Sequence, residues 1–243
     1  MSEQFMSKQS VANSISTAAK INQLSANHSL ADQTLIIFDW DGTLMDSIGL
    51  IVESMHVAGQ AHGFETTDKA VQDIIGLSLM NGIEILYPQA NESQKLAIQQ
   101  SYADHYIANS HRTPLFAPIE GMLQTLQAQG KSLAVATGKK RKGLDRVLDA
   151  SDSHHYFVMT RCADGAVSKP DPHMLNDILD YTEQQIANAV FIGDSIYDIQ
   201  MAAQLGMTSI AVNYGTASQA ELAAQQPTYQ VDTPQALAEL LCA

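Results

Sequence analysis

Two aspartates, Asp39 and Asp41, stand one residue apart directly after the apolar run Leu35-Ile36-Ile37-Phe38, and Gly42 follows them. Where extended backbone persists past that run, side chains alternate with period two, so the two carboxylates share a side. Gly42 lets the chain turn sharply and leaves amides free to face an anion. Thr137-Gly138 ends a second apolar run, Lys169-Pro170-Asp171-Pro172 lies in the loop after a third, and Gly193-Asp194-Ser195 with Asp198 ends a fourth. Carboxylates gathered in one place repel one another, and a hard divalent cation removes that cost. Mg2+ favours one or two carboxylates, waters and phosphate oxygens. A lysine and a threonine hydroxyl beside such an ion suit the charge of a transferring phosphoryl group. An aspartate of ordinary pKa, about 3.9, is ionised at neutral pH and needs no base to act as a nucleophile. A second carboxyl two residues on is placed to protonate a leaving oxygen and afterwards to activate water.

These residues need a scaffold that brings strand ends together. Short apolar runs at 35–38, 132–136, 156–159, 189–192 and 208–212 lack alternation, which fits parallel strands covered on both faces. Helical patterns at 121–129, 141–150, 171–181 and 198–205 separate several of them. Strand and helix in alternation predict an α/β fold, a doubly wound and mainly parallel Rossmann-like sheet, whose ligand crevice lies beyond the carboxyl ends of the strands. Residues 47–114 break the pattern with helices expected at 47–62, 67–75, 80–86 and 93–109 and no convincing strand. Nearly seventy helical residues exceed one crossover, so 47–114 are expected to form an inserted helical unit. The α/β core is then 34–46 with 115–243, behind a polar extension over 1–33 that holds a short amphipathic helix around 11–24.

The runs Asp39-Trp40-Asp41-Gly42-Thr43-Leu44, Thr137-Gly138, Lys169-Pro170 and Gly193-Asp194-Ser195-x-x-Asp198 resemble, in order, the four motifs of the haloacid dehalogenase superfamily. The likeness covers about residues 34–215, and the helical insertion resembles that family's cap. With Asp46-Ser47 included, the first motif looks most like the phosphoglycolate phosphatase branch. The resemblance implies a Mg2+-dependent phosphatase acting on a small phosphorylated metabolite, phosphoglycolate-like or a sugar phosphate, through an aspartyl phosphate. It implies Asp39 as nucleophile and metal ligand, and Asp41 as acid and base with its carbonyl oxygen on the metal. Thr137 and Lys169 would bind the phosphoryl group together with Gly42 and Gly138, Asp194 would ligate the metal, and Asp198 would support it. A phosphomutase of the same fold and a non-catalytic module phosphorylated on Asp39 are the alternatives. A dehalogenase would lack the second aspartate of the first motif, so Asp41 argues against that chemistry.

Other features have plainer readings. Asp46 is expected to cap the helix beginning at 47, and Trp40 to pack in the core. Lys139-Lys140-Arg141-Lys142 with Arg146 reads as a solvated helix face. Within the insertion, Ile74-Ile75-Gly76-Leu77-Ser78 looks like the family's specificity segment. The only cations over 47–114 are Lys69, Lys95 and Arg112. A second anionic group such as glycolate's carboxylate therefore lacks an obvious partner there, which argues against phosphoglycolate itself.

Composition narrows the partners. Asp and Glu number 26 against 13 Lys and Arg, a net charge of −13, which excludes a general binder of nucleic acid or anionic membrane. Two cysteines are too few for a disulfide framework or a zinc ribbon. No apolar run approaches the ~18 residues that span a bilayer, and residues 1–33 lack a secretory apolar segment. A cytoplasmic monomer or homodimer is expected.

Overall fold

The computed structural model of the chain describes residues 30–243; residues 1–29, which include the short helix expected around 11–24, lie outside the described residues. Strand β1 (Leu35–Phe38) is followed by four helices, α1 (Ile48–Ala61), α2 (Asp68–Ile74), α3 (Leu79–Leu86) and α4 (Glu92–Asn109). The chain then runs α5 (Ile119–Ala128), β2 (Ser132–Thr137), α6 (Arg141–Ala150), β3 (Phe157–Cys162), α7 (His173–Thr182), β4 (Ala189–Gly193) and α8 (Ile196–Gln204). It ends with β5 (Thr208–Val212), α9 (Gln219–Ala224), β6 (Tyr229–Val231) and α10 (Pro234–Cys242). All strand pairs are parallel, in the order β3-β2-β1-β4-β5-β6.

Period-two alternation sorts the strand residues onto two faces. Ile36, Phe38, Leu133, Val135, Val190 and Ile192 pack with residues of α5, α6 and α10 on one side. Leu35, Ile37, Ala134, Ala136, Ala189 and Phe191 pack with residues of α7 and α8 on the other. Both faces are covered, which is why β1 reads as an unbroken apolar run: all four of its residues are buried. Each such side chain contributes about 1.5–3 kcal/mol.

The edges of the sheet depart from the expected pattern. β3 extends to Cys162 rather than ending near 159, through Thr160 and Arg161. As an edge strand it is largely half-buried, so polar residues fit in it and the apolar run stops short of its end. β6 and the helices α9 and α10 were not foreseen. β6 is three residues of Tyr-Gln-Val, too short and too polar to stand out.

Between β1 and β2 the four helices bury clusters of their own. Met55, Ala58, Val71, Ile83, Tyr87 and Ile98 form one, and Leu50, Ile51, Ile75 and Tyr106 another. Thr67, Ser78 and Asn91 cap α2, α3 and α4 by accepting a backbone N–H three residues on. The two connecting segments lie side by side: Asp46 N–H donates to Pro114 O at 2.9 Å, and Phe116 N–H to Leu44 O at 3.0 Å. No described helix is long and apolar enough to cross a membrane.

Candidate active site

β1 and β4 adjoin with Phe38 opposite Ile192. The chain therefore leaves the sheet at Asp39 and Asp194 on either side of the point where the strand order reverses, the place where open α/β sheets form their ligand crevice. Asp39 is buried and anchored by its own N–H, which donates to Ile192 O at 2.8 Å.

Lys169 arrives from the loop between β3 and α7 with its side chain fully buried. Its Nζ donates to Asp39 Oδ1 and to Asp198 Oδ1, both at 2.7 Å. Asp198 Oδ2 accepts from Ser195 N–H at 3.0 Å and Ser195 Oγ at 2.7 Å, while Ser195 Oγ accepts from Asp198 N–H. This capping box opens α8, so one aspartate both starts a helix and faces the lysine. Asp194 accepts from Thr43 Oγ1 (3.1 Å) on one oxygen and from Thr216 N–H (2.8 Å) and Oγ1 (3.0 Å) on the other.

Carboxylate oxygens of Asp39, Asp194 and Asp198 lie within 4.8 Å of one another, all from buried residues. Burial raises the Asp39 carboxyl well above its usual value; Lys169 opposes this, while Asp198 and Asp194 add to it. Burial, reinforced by Asp198, pushes Asp194 up to about 7 against the bonds from Thr216 and Thr43. Burial alone would lower the Lys169 ammonium, but Asp198 and Asp39 outweigh it and leave it raised. One ammonium does not balance three carboxylates. A set of carboxylate oxygens with surplus negative charge fits a hard cation such as Mg2+.

The side chain of Asp41 stands outside this trio. Its Oδ1 accepts from Ser47 Oγ at 2.6 Å, and Lys139 Nζ donates to its two oxygens at 2.8 and 2.9 Å. Lys139 also reaches Tyr106 Oη at 3.3 Å and lies 4.6 Å from that ring's centre. The basic run is therefore not wholly a solvated face: Lys139 is nearly enclosed, with 11 % of its side chain exposed. Burial pulls its ammonium down, but Asp41 together with Tyr106 and Tyr102 leaves it raised. Asp46 is exposed and does not cap α1; Ser47 holds the capping position, yet its hydroxyl is turned to Asp41.

Thr137 is buried, and its Oγ1 accepts from Lys139 N–H at 3.2 Å. Thr137 and Gly138 line a cleft of about 230 Å3 together with Asp39 and Asp41. Ile51, Ile75, Tyr102 and Tyr106 of the helical insertion form its opposite wall. Gly42 differs from expectation: its N–H donates to Met45 O at 2.9 Å and is not free for an anion. What the position needs is conformation and space, with φ of +75° and Asp194 where a Cβ would project. Trp40 is fully buried, edge-on to Phe157.

Four contributors went unrecognised in the sequence: Ser47 and Lys139 on Asp41, and Thr43 and Thr216 on Asp194. Thr216 had a signal. It follows the apolar run of β5 after Gly215, where a Cβ would strike Asp194, so a small residue and a hydroxyl stand together at a strand end.

The haloacid dehalogenase-like hydrolase family model matches residues 36–212, well over half of the chain. A phosphoglycolate phosphatase of Vibrio vulnificus is 29% identical over 221 residues, covering 85% of this chain and 94% of its own. One from Psychrobacter arcticus is 26% identical over 221 residues, covering 86% and 96%. A hydrolase from Pseudomonas syringae superposes with a TM-score of 0.80 at 23% identity, over 86% of this chain and 98% of that one, which shows a shared fold. With four motifs at the strand ends and a family match that spans them, the chain belongs to the haloacid dehalogenase-like hydrolases.

Proposed function

We infer that this phosphoric monoester hydrolase is a Mg2+-dependent phosphatase of small phosphorylated metabolites that works through an aspartyl phosphate on Asp39. The observation that carries this reading is Lys169, fully buried and shared at 2.7 Å between Asp39 and Asp198 at the sheet's switch point. A lysine so placed fixes the attacking carboxylate and offers charge to phosphoryl oxygens. Residues 47–114 act as a helical cap over the site.

Asp39 attacks phosphorus; as the bond to its carboxylate oxygen forms, the bond from phosphorus to the substrate's alcohol oxygen breaks. Asp41 gives that oxygen its proton, then takes one from the water that attacks the aspartyl phosphate, releasing inorganic phosphate and restoring Asp39. Thr137, Gly138 and Lys169 bind the phosphoryl oxygens, and Ser47 and Lys139 hold Asp41 in place. Asp39, Asp194 and Asp198, with the carbonyl oxygen of Asp41, would hold Mg2+, which would supply positive charge against that of the carboxylates and the phosphoryl group. The apolar wall contributed by the insertion limits water around the reacting atoms.

The test is phosphate release over a panel of phosphorylated metabolites, with and without Mg2+, using Asp39→Asn as the blank. Turnover that needs both Mg2+ and Asp39 supports the mechanism. An Asp39→Asn protein with wild-type activity in Mg2+ would falsify it.

A further inference from the structure

Eleven of the thirteen Lys and Arg residues lie in the described part of the chain. Seven of them form ion pairs with carboxylates, and Lys131 donates to the carbonyls of Ala31 and Gln33. The remaining three, Lys140, Lys142 and Arg146, have no ion pair or side-chain hydrogen bond among the described residues, and all three line the active-site cleft. In a chain with twice as many acids as bases, cations left without carboxylate partners at one cleft mark a place kept for an external anion.

Their arrangement gives that anion a position. Lys142 and Arg146 fall at i and i+4 of α6 and, with Gly143, border the cleft, while Lys139 and Lys140 reach it from just before the first turn. Lys139 is occupied by Asp41 and Arg141 by Asp145, but Lys140, Lys142 and Arg146 pair with no carboxylate among the described residues. Arg146 lies four residues beyond Lys142, about 6 Å along the helix axis. A Cβ at Gly143 would meet nothing within 4 Å, so the path between is open. Facing this basic strip, Ile51, Met55, Leu79, Tyr102 and Ile107 give an apolar wall. Lys69, Lys95 and Arg112, the cations of the insertion, do not line the cleft.

We propose that the substrate's alcohol carries a second anionic group, a carboxylate or another phosphate, set off from the ester oxygen by an apolar body. That body lies against the helical insertion, and the distal anion is received by Lys140, Lys142 and Arg146. Phosphoglycolate has one methylene between ester oxygen and carboxylate, too short to span the strip and without an apolar body. This inference rests on the phosphatase reading and adds the leaving group to it.

The experiment compares kcat/KM in Mg2+ for phenyl phosphate, 4-carboxyphenyl phosphate, 1,4-phenylene bisphosphate and phosphoglycolate, using the full chain and a Lys142→Gln/Arg146→Gln variant. In the wild type, at least one para-anionic ester exceeds phenyl phosphate by about tenfold, and phosphoglycolate by more. Which of the two leads identifies the distal group as carboxylate or phosphate. In the double variant that ratio falls toward one, mainly through KM; Arg146→Lys keeps most of it, and added salt erodes it in the wild type. The ratio is taken within each enzyme, so a change in folded fraction cancels, and single Lys142→Gln and Arg146→Gln variants repeat the measurement. Three results overturn the inference and leave the phosphatase reading standing: a wild-type ratio near one, a ratio that survives the double variant, or phosphoglycolate outranking both para-anionic esters. Hydrolysis of no ester at all, with or without Mg2+, removes the phosphatase reading and this inference with it.

Discussion

Lys139 grips both carboxylate oxygens of Asp41, at 2.8 and 2.9 Å, while Ser47 donates to one of them at 2.6 Å. The proposed acid and base is thus held by two partners from distant parts of the chain: Ser47 at the start of the helical insertion, and Lys139 just past β2 in the core. Lys139→Met leaves a nearly buried carboxylate with the serine alone. We expect kcat for phosphate release to fall about tenfold to a hundredfold, or about 1.4–2.7 kcal/mol of barrier, with Lys139→Arg intermediate. A change confined to KM would instead mean that Lys139 serves the substrate and not Asp41.

Lys169→Met removes the one cation among three buried carboxylates. Loss of such a donor costs on the order of 3 kcal/mol in the barrier, so turnover should fall by about two orders of magnitude. Leaving buried carboxylates uncompensated also costs stability. Without Mg2+ the variant should melt below the wild type, and added Mg2+ should recover part of the difference. A melting temperature equal to wild type in the absence of metal would contradict the charge balance drawn from the 2.7 Å contacts.

The raised carboxyl of Asp194 should couple binding of a divalent ion to pH. Its folded value of about 7 lies above that of an exposed aspartate, because burial and Asp198 disfavour its charge. Between about pH 4 and pH 7 the folded chain therefore keeps a proton that the unfolded chain has released. The stability tied to that proton is complete at low pH and is lost as pH rises through about 7; Asp39 shifts in the same direction. A bound divalent ion takes the proton's place. The rise in melting temperature produced by Mg2+ should be larger at about pH 8 than at about pH 5.5, and calorimetry should detect proton release on binding near neutrality. A Mg2+ effect that does not vary with pH would count against this group as a ligand.

The site's position lay open in the sequence where backbone and side chain agree. Asp39 and Asp194 each follow a strand buried throughout, Thr137 ends one in which only Ser132 is half-buried, and parallel strands buried on both faces announce themselves as apolar runs. Such runs locate their own ends, and hence the crevice. The partners of these residues were hidden because long-range pairing leaves no local pattern. Thr216 and Asp194 are 22 residues apart, Lys139 and Asp41 98 residues apart, so neither pair has a spacing to recognise. Lys139 misled for a further reason. It sits beside Lys140 and Lys142 at the start of an amphipathic helix, and composition alone cannot tell which member of a basic run turns inward. β6 was missed because three residues at a sheet edge, two of them half-buried, carry too little apolar signal.

Gly138 marks where the helical insertion touches the core. A Cβ on it would collide with the carbonyl oxygens of Leu77 and Gly76, which belong to the segment between α2 and α3. Around that contact Ser78 N–H donates to Ser168 Oγ at 3.0 Å, Tyr197 Oη donates to Asp73 O at 3.0 Å, and Lys69 meets Glu221 at 2.8 Å. The ion pair is exposed and worth about 1 kcal/mol or less, so close backbone approach at Gly138 decides how near the two parts come. Gly138→Ala pushes back both carbonyls, and neither β2 nor α6 need change to accommodate it. A shift of about 1 Å between reacting groups costs on the order of a hundredfold. We therefore expect kcat/KM to fall by about that factor, with little change in melting temperature and faster amide exchange over residues 75–78. Lys69→Ala, which removes only the exposed pair, should lower kcat/KM by less than about threefold. Wild-type turnover in Gly138→Ala, with exchange at 75–78 unaltered, would show that this contact does not govern catalysis.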